Sequence, residues 1–449
     1  MSAETVPGTD IRYHLVAFDA HGRERDENGG PYSPFLLREA ATTRPTDVFV
    51  FSHGWNSDVA GARSQYGRWI ATMESCAEDR AVLEARPGGY RPLLVGLHWP
   101  SKAWSDEQLP GEPAATAVGE PDGGTEWLVD YYAARLTDTA RTREALRTIL
   151  ESAHHEAVPT FLPDPVRRAY QVIDAEAGAG SDGEGAAPGD DREPFDAEET
   201  YQACQVEELA SFGGASLGGV LSPLRVLTFW QMKRRALKFG ERGAATLLGD
   251  LRAAAPTARF HLMGHSFGCI VVSAAITTAV DTLVLVQGAM SLWSFCPSIP
   301  SRPDRHGYFH RLVADGLVRG PLLATTSVHD RAVGVFYPLG ARARRQVDYA
   351  VGTGTLPTYG GIGTFGVRGL GDRATDEILG LVDAQYDFQP RTVHNLDASA
   401  VIRSGGGASG AHSDICHPPL AHAIWQAVAA DGNQPVPSAP PPPDADRGR

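Results

Sequence analysis

Cysteine is scarce in this chain and shows no pairing pattern. The five present, Cys76, Cys204, Cys269, Cys296 and Cys416, are scattered, odd in number and never spaced as C-x-x-C, which argues against a disulfide framework and against structural zinc, and for a reducing compartment. Basic charge is in deficit too: 40 Lys and Arg stand against 54 Asp and Glu, a formal net charge of -14. Phosphate binding and attachment to anionic lipid both need a basic surface, so no nucleic acid partner is expected and no electrostatic membrane docking. Long apolar runs are missing as well. The longest, Cys269 to Val280, is too short to cross a bilayer and carries Ser273, Thr277 and Thr278, so no transmembrane segment is expected. Met1 to Asp10 has neither the basic start nor the apolar centre of a signal peptide. The expected location is cytoplasmic.

What is present suits a large core. With 449 residues, of which 42% are hydrophobic, the chain is long enough for one large domain with insertions, or for two. Ile11 to Phe18 alternates apolar and polar residues and reads as an opening edge strand within a segment 1–44. The core begins at Asp47 to Ser52, followed by a helical stretch from Asp58 to Arg80 and a second strand from Leu93 to Trp99. Strand, helix, strand implies a parallel sheet. An insertion of about residues 101–222 then interrupts the pattern. Thr125 to Glu156 within it has helical periodicity, whereas Asp174 to Thr200 has almost no large apolar residue and is expected to be a disordered linker. Pro223 to Ala255 reads as one long helix, kinked at Gly240 or Gly243, whose Lys233, Arg234, Arg235 and Lys238 are expected on a solvated face. Further strands are expected at Thr282 to Val286, Leu322 to Val328 and Thr392 to Val401, and a closing helix at Pro419 to Ala430. The core domain thus runs over 45–432, and the proline-rich tail 433–449 is expected to be unstructured.

The most informative segment is Gly264-His265-Ser266-Phe267-Gly268. It follows the apolar run Arg259 to Met263 and precedes Cys269 to Ile276, which is strand, sharp turn, helix. A serine at the apex of such a turn is held above a sheet edge, between glycines that tolerate the crowded backbone. A second Gly-x-Ser-x-Gly, Gly214 to Gly218, has no strand before it, so Ser266 rather than Ser216 is the expected nucleophile. A serine hydroxyl needs a histidine base, and the histidine needs a carboxylate to fix its tautomer.

With these residues the chain resembles the α/β-hydrolase superfamily over about residues 45 to 430, apart from much of the insertion. The resemblance implies an α/β-hydrolase fold, a mostly parallel central sheet flanked by helices, with a triad in the order serine, acid, histidine. Asp330 lies just past the strand that begins at Leu322, where the family places its acid. Asp304 is an alternative on a longer path, Asp47 and Asp281 precede their strands and belong to the wrong sheet edge, and Asp397 falls inside a strand. The Gly405 to Asp414 loop supplies His412 as the base, with His417 the alternative and His422 a packed helix residue. The oxyanion donors implied are the amides of Phe267 and of Trp55, the latter in the loop Ser52-His53-Gly54-Trp55-Asn56. His412, Asp414, Cys416 and His417 are all ligand types, but no second pair of matching spacing accompanies them, and neither metal nor cofactor is expected.

The function expected is a serine hydrolase acting through an acyl-enzyme on a small-molecule or lipid-like carboxylic ester. Trp99, Trp104, Trp293 and Phe295 follow strands at the catalytic edge and are candidates for lining the acyl pocket, against the alternative of core packing. The insertion and residues 291–316 are candidate lids. The rival reading is a scaffold of the same fold that has lost catalysis and binds partners through its insertion and tail.

Overall fold

The computed structural model describes residues 3–26, 30–101, 124–178, 180, 182–183, 185–206, 219–336, 356–405 and 409–430. The expected tail 433–449 lies outside these residues, as does Ser216. Nine strands, β1 (Ala3–Thr5), β2 (Arg12–Ala17), β3 (Asp47–Ser52), β4 (Pro92–His98), β5 (Arg259–His265), β6 (Thr282–Val286), β7 (Leu322–Thr326), β8 (Ala374–Ile378) and β9 (Val393–Asp397), form one sheet in the order β1-β2-β4-β3-β5-β6-β7-β9-β8. Only the β1/β2 pair is antiparallel.

The strands are short continuous apolar runs because both faces of the sheet are covered. On β3, Val48 and Val50 face one core while Phe49 and Phe51 face the other. The first core packs under α1 (Ser33–Thr43) and under helices that precede and follow β5. The second packs under α2 (Val59–Ser75), α3 (Ala77–Glu84) and the final helix Pro418–Ala430. Asp58 caps α2 by accepting from the Gly61 amide at 2.6 Å. The helical stretch expected from Asp58 to Arg80 is therefore two helices, broken at Cys76.

The described part of the insertion forms α4 (Gly124–Arg135), α5 (Ala140–His155), α6 (Asp164–Glu176) and α7 (Ala197–Val206), with a core of its own built from residues such as Leu146, Ile149, Tyr170 and Tyr201. Leu224 and Leu227 of α8 (Ser222–Phe239) complete it. The long helix expected from Pro223 to Ala255 is α8, a π turn at Gly240–Ala244, and α9 (Ala245–Ala254). Gly240 sits so close to α10 (Gly268–Ala275) that a methyl group there would lie 2.6 Å from Ala274 Cβ. The π turn is where the helix accommodates that contact.

Four expectations need correction. β2 is not the sheet edge, since β1 covers it on one side and β4 on the other. β8 was missed: its Ala-Thr-Asp-Glu-Ile sequence lies on the exposed edge beyond β9 and lacks the apolar run of a buried strand. The segment 174–200 is not a disordered linker where described, because charge and close packing order it. Asp191 accepts from Lys233 at 2.7 Å with both side chains fully buried, Asp190 pairs with Arg234, and Asp174 with Arg192. The Gly185 carbonyl accepts from the Tyr308 amide at 2.8 Å. The basic cluster of α8 is accordingly no solvated face: Lys233 is buried, Arg235 donates to the Pro100 carbonyl at 3.3 Å, and only Lys238 is exposed.

Candidate active site

The connections of the sheet reverse direction between β3 and β5: the chain leaves β3 towards β4 on one side and leaves β5 towards β6 on the other. In open parallel sheets the crevice at the carboxyl ends of such strands is the place where ligands bind. β3 and β5 are paired so that Ser52 stands opposite Gly264. The loop that begins at His53 and the turn that carries Ser266 therefore share that crevice.

Ser266 has a left-handed backbone, φ +57°, a conformation that costs a residue with a side chain about 1–3 kcal/mol. Its amide donates to the Val286 carbonyl at 3.0 Å and its carbonyl accepts from the Cys269 amide at 3.1 Å, which hold the turn closed. A methyl group at Gly264 would stand 2.5 Å from the Cys269 nitrogen, and one at Gly268 only 2.2 Å from the Ser52 carbonyl oxygen. Both contacts are with backbone, so only glycine fits at either flank. Ser266 is 5% exposed.

Asp330 and His412 meet across the loops after β7 and β9. His412 donates from Nδ1 to Asp330 Oδ2 at 2.8 Å, and Asp330 Oδ1 accepts from the Val333 amide at 3.0 Å. A carboxylate only accepts, so His412 carries its proton on Nδ1 and presents a lone pair at Nε2. The loops pair through their backbones: the Ala411 amide donates to the His329 carbonyl at 2.9 Å. Gly410, at φ +56°, permits this, since a methyl there would lie 2.4 Å from that carbonyl. His265, the residue before the serine, donates from Nε2 to the His412 carbonyl at 2.9 Å, with the two rings 4.8 Å apart. Burial, and then the charge His412 can carry, push the His265 pKa down to about 3, so its ring is neutral. Its Nδ1 is buried without a hydrogen-bond partner. The Ser266 hydroxyl and His412 Nε2 are not hydrogen-bonded in this structure.

The other candidates fall elsewhere. Asp47 is held by Arg86, His261 and Thr46 at the opposite sheet edge, and Asp281 accepts from the Phe260 amide there. Asp304 is exposed, and Asp397 accepts from Ser399. His417 pairs with Asp414 at 2.7 Å and His422 with Asp79 at 2.8 Å. Among the described residues no three His, Cys, Asp or Glu side chains are grouped to hold a metal ion, and no helix is long and apolar enough to cross a membrane.

Gly54 is the point of closest approach between the β3 loop and the serine: a methyl there would be 2.8 Å from Ser266 Cβ. Trp55 stacks on Phe267 with ring centroids 5.9 Å apart and meets Phe229 of α8 edge-on at 5.5 Å. Of the residues expected to line an acyl pocket, Trp104 lies outside the described residues and the other three are packed. Trp99 is fully buried, parallel to the His53 ring, and its Nε1 donates to the His53 carbonyl at 3.2 Å. Trp293 donates to the Thr358 carbonyl within a cluster that includes Leu292, Cys296 and Phe365. Phe295 is fully buried against Phe309. Sequence reasoning missed His265, although it lies inside the pentapeptide, and His98, the last residue of β4. A histidine ending an otherwise apolar strand was the available signal. Comparison of the chain with protein-family models, with curated proteins and with solved structures finds no match.

Proposed function

We propose that the protein is a serine hydrolase of the α/β-hydrolase fold, acting on carboxylic esters through an acyl-enzyme on Ser266. The observation that carries this reading is the left-handed Ser266 between two glycines whose side-chain positions are filled by backbone, at the crevice where the strand order reverses. A serine with no task at such an apex would be replaced by glycine at no structural loss. Two further observations support it. The hydrogen bond that His412 donates to Asp330 fixes the tautomer that a general base requires, and serine, acid and histidine come in that order along the chain, after β5, β7 and β9 of one parallel sheet.

In the proposed reaction the Ser266 hydroxyl turns to His412 Nε2, which takes its proton as Oγ bonds to the ester carbonyl carbon. The carbonyl electron pair moves onto oxygen, and the amides of Phe267 and Trp55 stabilise that oxyanion. As the carbonyl re-forms, the bond to the alkoxy group breaks and His412 returns the proton to the leaving alcohol. A water molecule, deprotonated by the same nitrogen, then releases the acid and restores Ser266. Asp330 stays ionised throughout and stabilises the charged imidazole.

The test is intact-mass labelling of purified protein with a fluorophosphonate, beside Ser266→Ala and Ser216→Ala. One adduct, absent only from Ser266→Ala, is expected. Turnover of any ester found in a screen should fall by roughly 10⁶ in that variant, as for removal of other triad serines. A folded wild-type protein that takes no label would overturn the hydrolase reading in favour of a binding scaffold.

A further inference from the structure

We propose that His98 and Trp99, at the carboxyl end of β4, are positioning residues that hold the oxyanion loop in its working orientation through His53. The proposal rests on the reading of Ser266 as nucleophile. It starts from the strand register, in which Ser52 of β3 stands opposite Leu97 of β4, so that His53 and His98 leave the sheet side by side.

Donor and acceptor chemistry then fixes the tautomer of His53. The Trp99 backbone amide, which can only donate, reaches His53 Nε2 at 3.3 Å. His53 Nε2 is therefore the unprotonated nitrogen, and the His53 proton sits on Nδ1, from which it donates to the Gly54 carbonyl at 2.9 Å. His98 Nδ1 lies 3.0 Å from the same His53 Nε2, so it is the protonated nitrogen of its own ring. The Trp99 indole closes the cluster from the other side, lying within 3° of parallel to the His53 ring while its Nε1 donates to the His53 carbonyl. His53, His98 and Trp99 are all fully buried. Burying that many polar groups is costly, and an apolar core would fill the same space without the cost.

The geometry of one peptide bond says what the cluster does. In a trans peptide the C=O and the following N–H point in opposite directions. By gripping the Gly54 oxygen, His53 fixes the plane of the Gly54 to Trp55 peptide and turns the Trp55 N–H to the side away from its own ring. This is the segment in which a methyl group on Gly54 would lie 2.8 Å from Ser266 Cβ. With His53 set as an Nδ1–H donor, the loop has one orientation. Were His53 to carry its proton on Nε2, two lone pairs would face each other at Gly54 and the peptide would turn.

The test uses the full chain and three substitutions: His98→Asn, which keeps a side-chain N–H; His98→Leu, of similar shape without one; and Trp99→Phe, which keeps the ring and loses the indole N–H. Rates are read with p-nitrophenyl esters of several acyl lengths and as the fluorophosphonate labelling rate. Loss of one oxyanion donor lowers kcat by about 10²–10³, and a loosened donor should lose part of that. His98→Leu is expected to lower kcat at least about tenfold with KM nearly unchanged, the split that marks an interaction made in the transition state. His98→Asn should recover most of the loss, and Trp99→Phe should lower kcat without changing acyl-length preference. A folded His98→Leu with wild-type kcat overturns the proposal, as does a Trp99→Phe whose change is in acyl preference. If His98→Leu does not fold, Trp99→Phe decides alone: an unchanged kcat and labelling rate overturn it. Wild-type protein without a Ser266-dependent adduct overturns the hydrolase reading and this proposal together. Ser266-dependent labelling at equal rates in all variants overturns this one only.

Discussion

At the scale of single residues, strain and neutrality are the two properties that set the site apart. Ser266 adopts φ +57°, which glycine reaches without penalty and alanine does not. Ser266→Gly should therefore be more stable than Ser266→Ala by up to about 1 kcal/mol, the entropy of the extra glycine offsetting part of the relief. Urea unfolding of the two labelling-dead variants checks this. The buried histidines make a second prediction. Burial holds His53 well below its ordinary pKa, lowers His14 too, and puts His265 at about 3. His53 and His265 stay neutral in the folded protein and take up a proton on unfolding, so stability is full above about pH 6.5 and declines below it. The slope is at most about 1.4 kcal/mol per pH unit per histidine. Asp47 behaves oppositely. Burial alone would raise its pKa, but the hydrogen bond and charge of His261, with Thr46 and Arg86, hold it at about 2. Its contribution is present above about pH 4 and lost only as the pH falls towards 2. His265→Gln keeps a donor where Nε2 stands and removes one titration. Urea unfolding between pH 7.5 and 5 should show a slope shallower by one histidine, with Ser266 labelling retained.

Among the elements, the segment from Asp174 to Thr200 is the most instructive. Its composition of Gly, Ala, Asp and Glu lacks the apolar period that marks a helix or strand, and nothing in it predicts order. What orders its described residues is the buried pair of Asp191 with Lys233, together with glycines that let the backbone pass close to its neighbours: a methyl at Gly189 would lie 2.2 Å from Arg234 Cγ. Such pairings are specific to a partner more than 40 residues away and leave no local trace in the sequence. Asp191→Ala breaks this buried ion pair and should cost about 3–5 kcal/mol. Limited proteolysis is expected to cut within 185–196 in that variant and to spare those residues in the wild-type protein. Equal cutting of both would show that the pair does not hold the strap. By contrast, the long helix before β5 and its irregularity at Gly240 were legible, because periodicity and glycine position report on local backbone.

For the molecule as a whole, the elements that build the candidate site were legible for a common reason: buried parallel strands and the turn between β5 and α10 write their constraints into consecutive residues. β3, β4, β5, β6 and β7 each show as an apolar run, with Asp330 just past the end of β7; His412 lies in the glycine-rich loop after β9. Their meeting at 2.8 Å is a long-range fact that no local pattern encodes. The edge strand β8 has one covered neighbour and a polar face, so it carries no such run. His98 and Trp99 were visible as residues, but their work behind the β3 loop depends on strand register, which only the folded sheet defines.

One feature of the sheet bears on the life of the protein before it is complete. β9, which leads into the His412 loop, lies between β7 and β8 although it is made after both. It must slot into a gap that its neighbours hold open, or the three must zip together once it arrives. The final helix Pro418–Ala430, which covers that face of the sheet, comes later still. A chain emerging from the ribosome therefore exposes its serine turn long before the histidine reaches its place. On the proposed reading the growing polypeptide stays inactive until its last strand inserts, and a chain cut short before that point would carry Ser266 without His412.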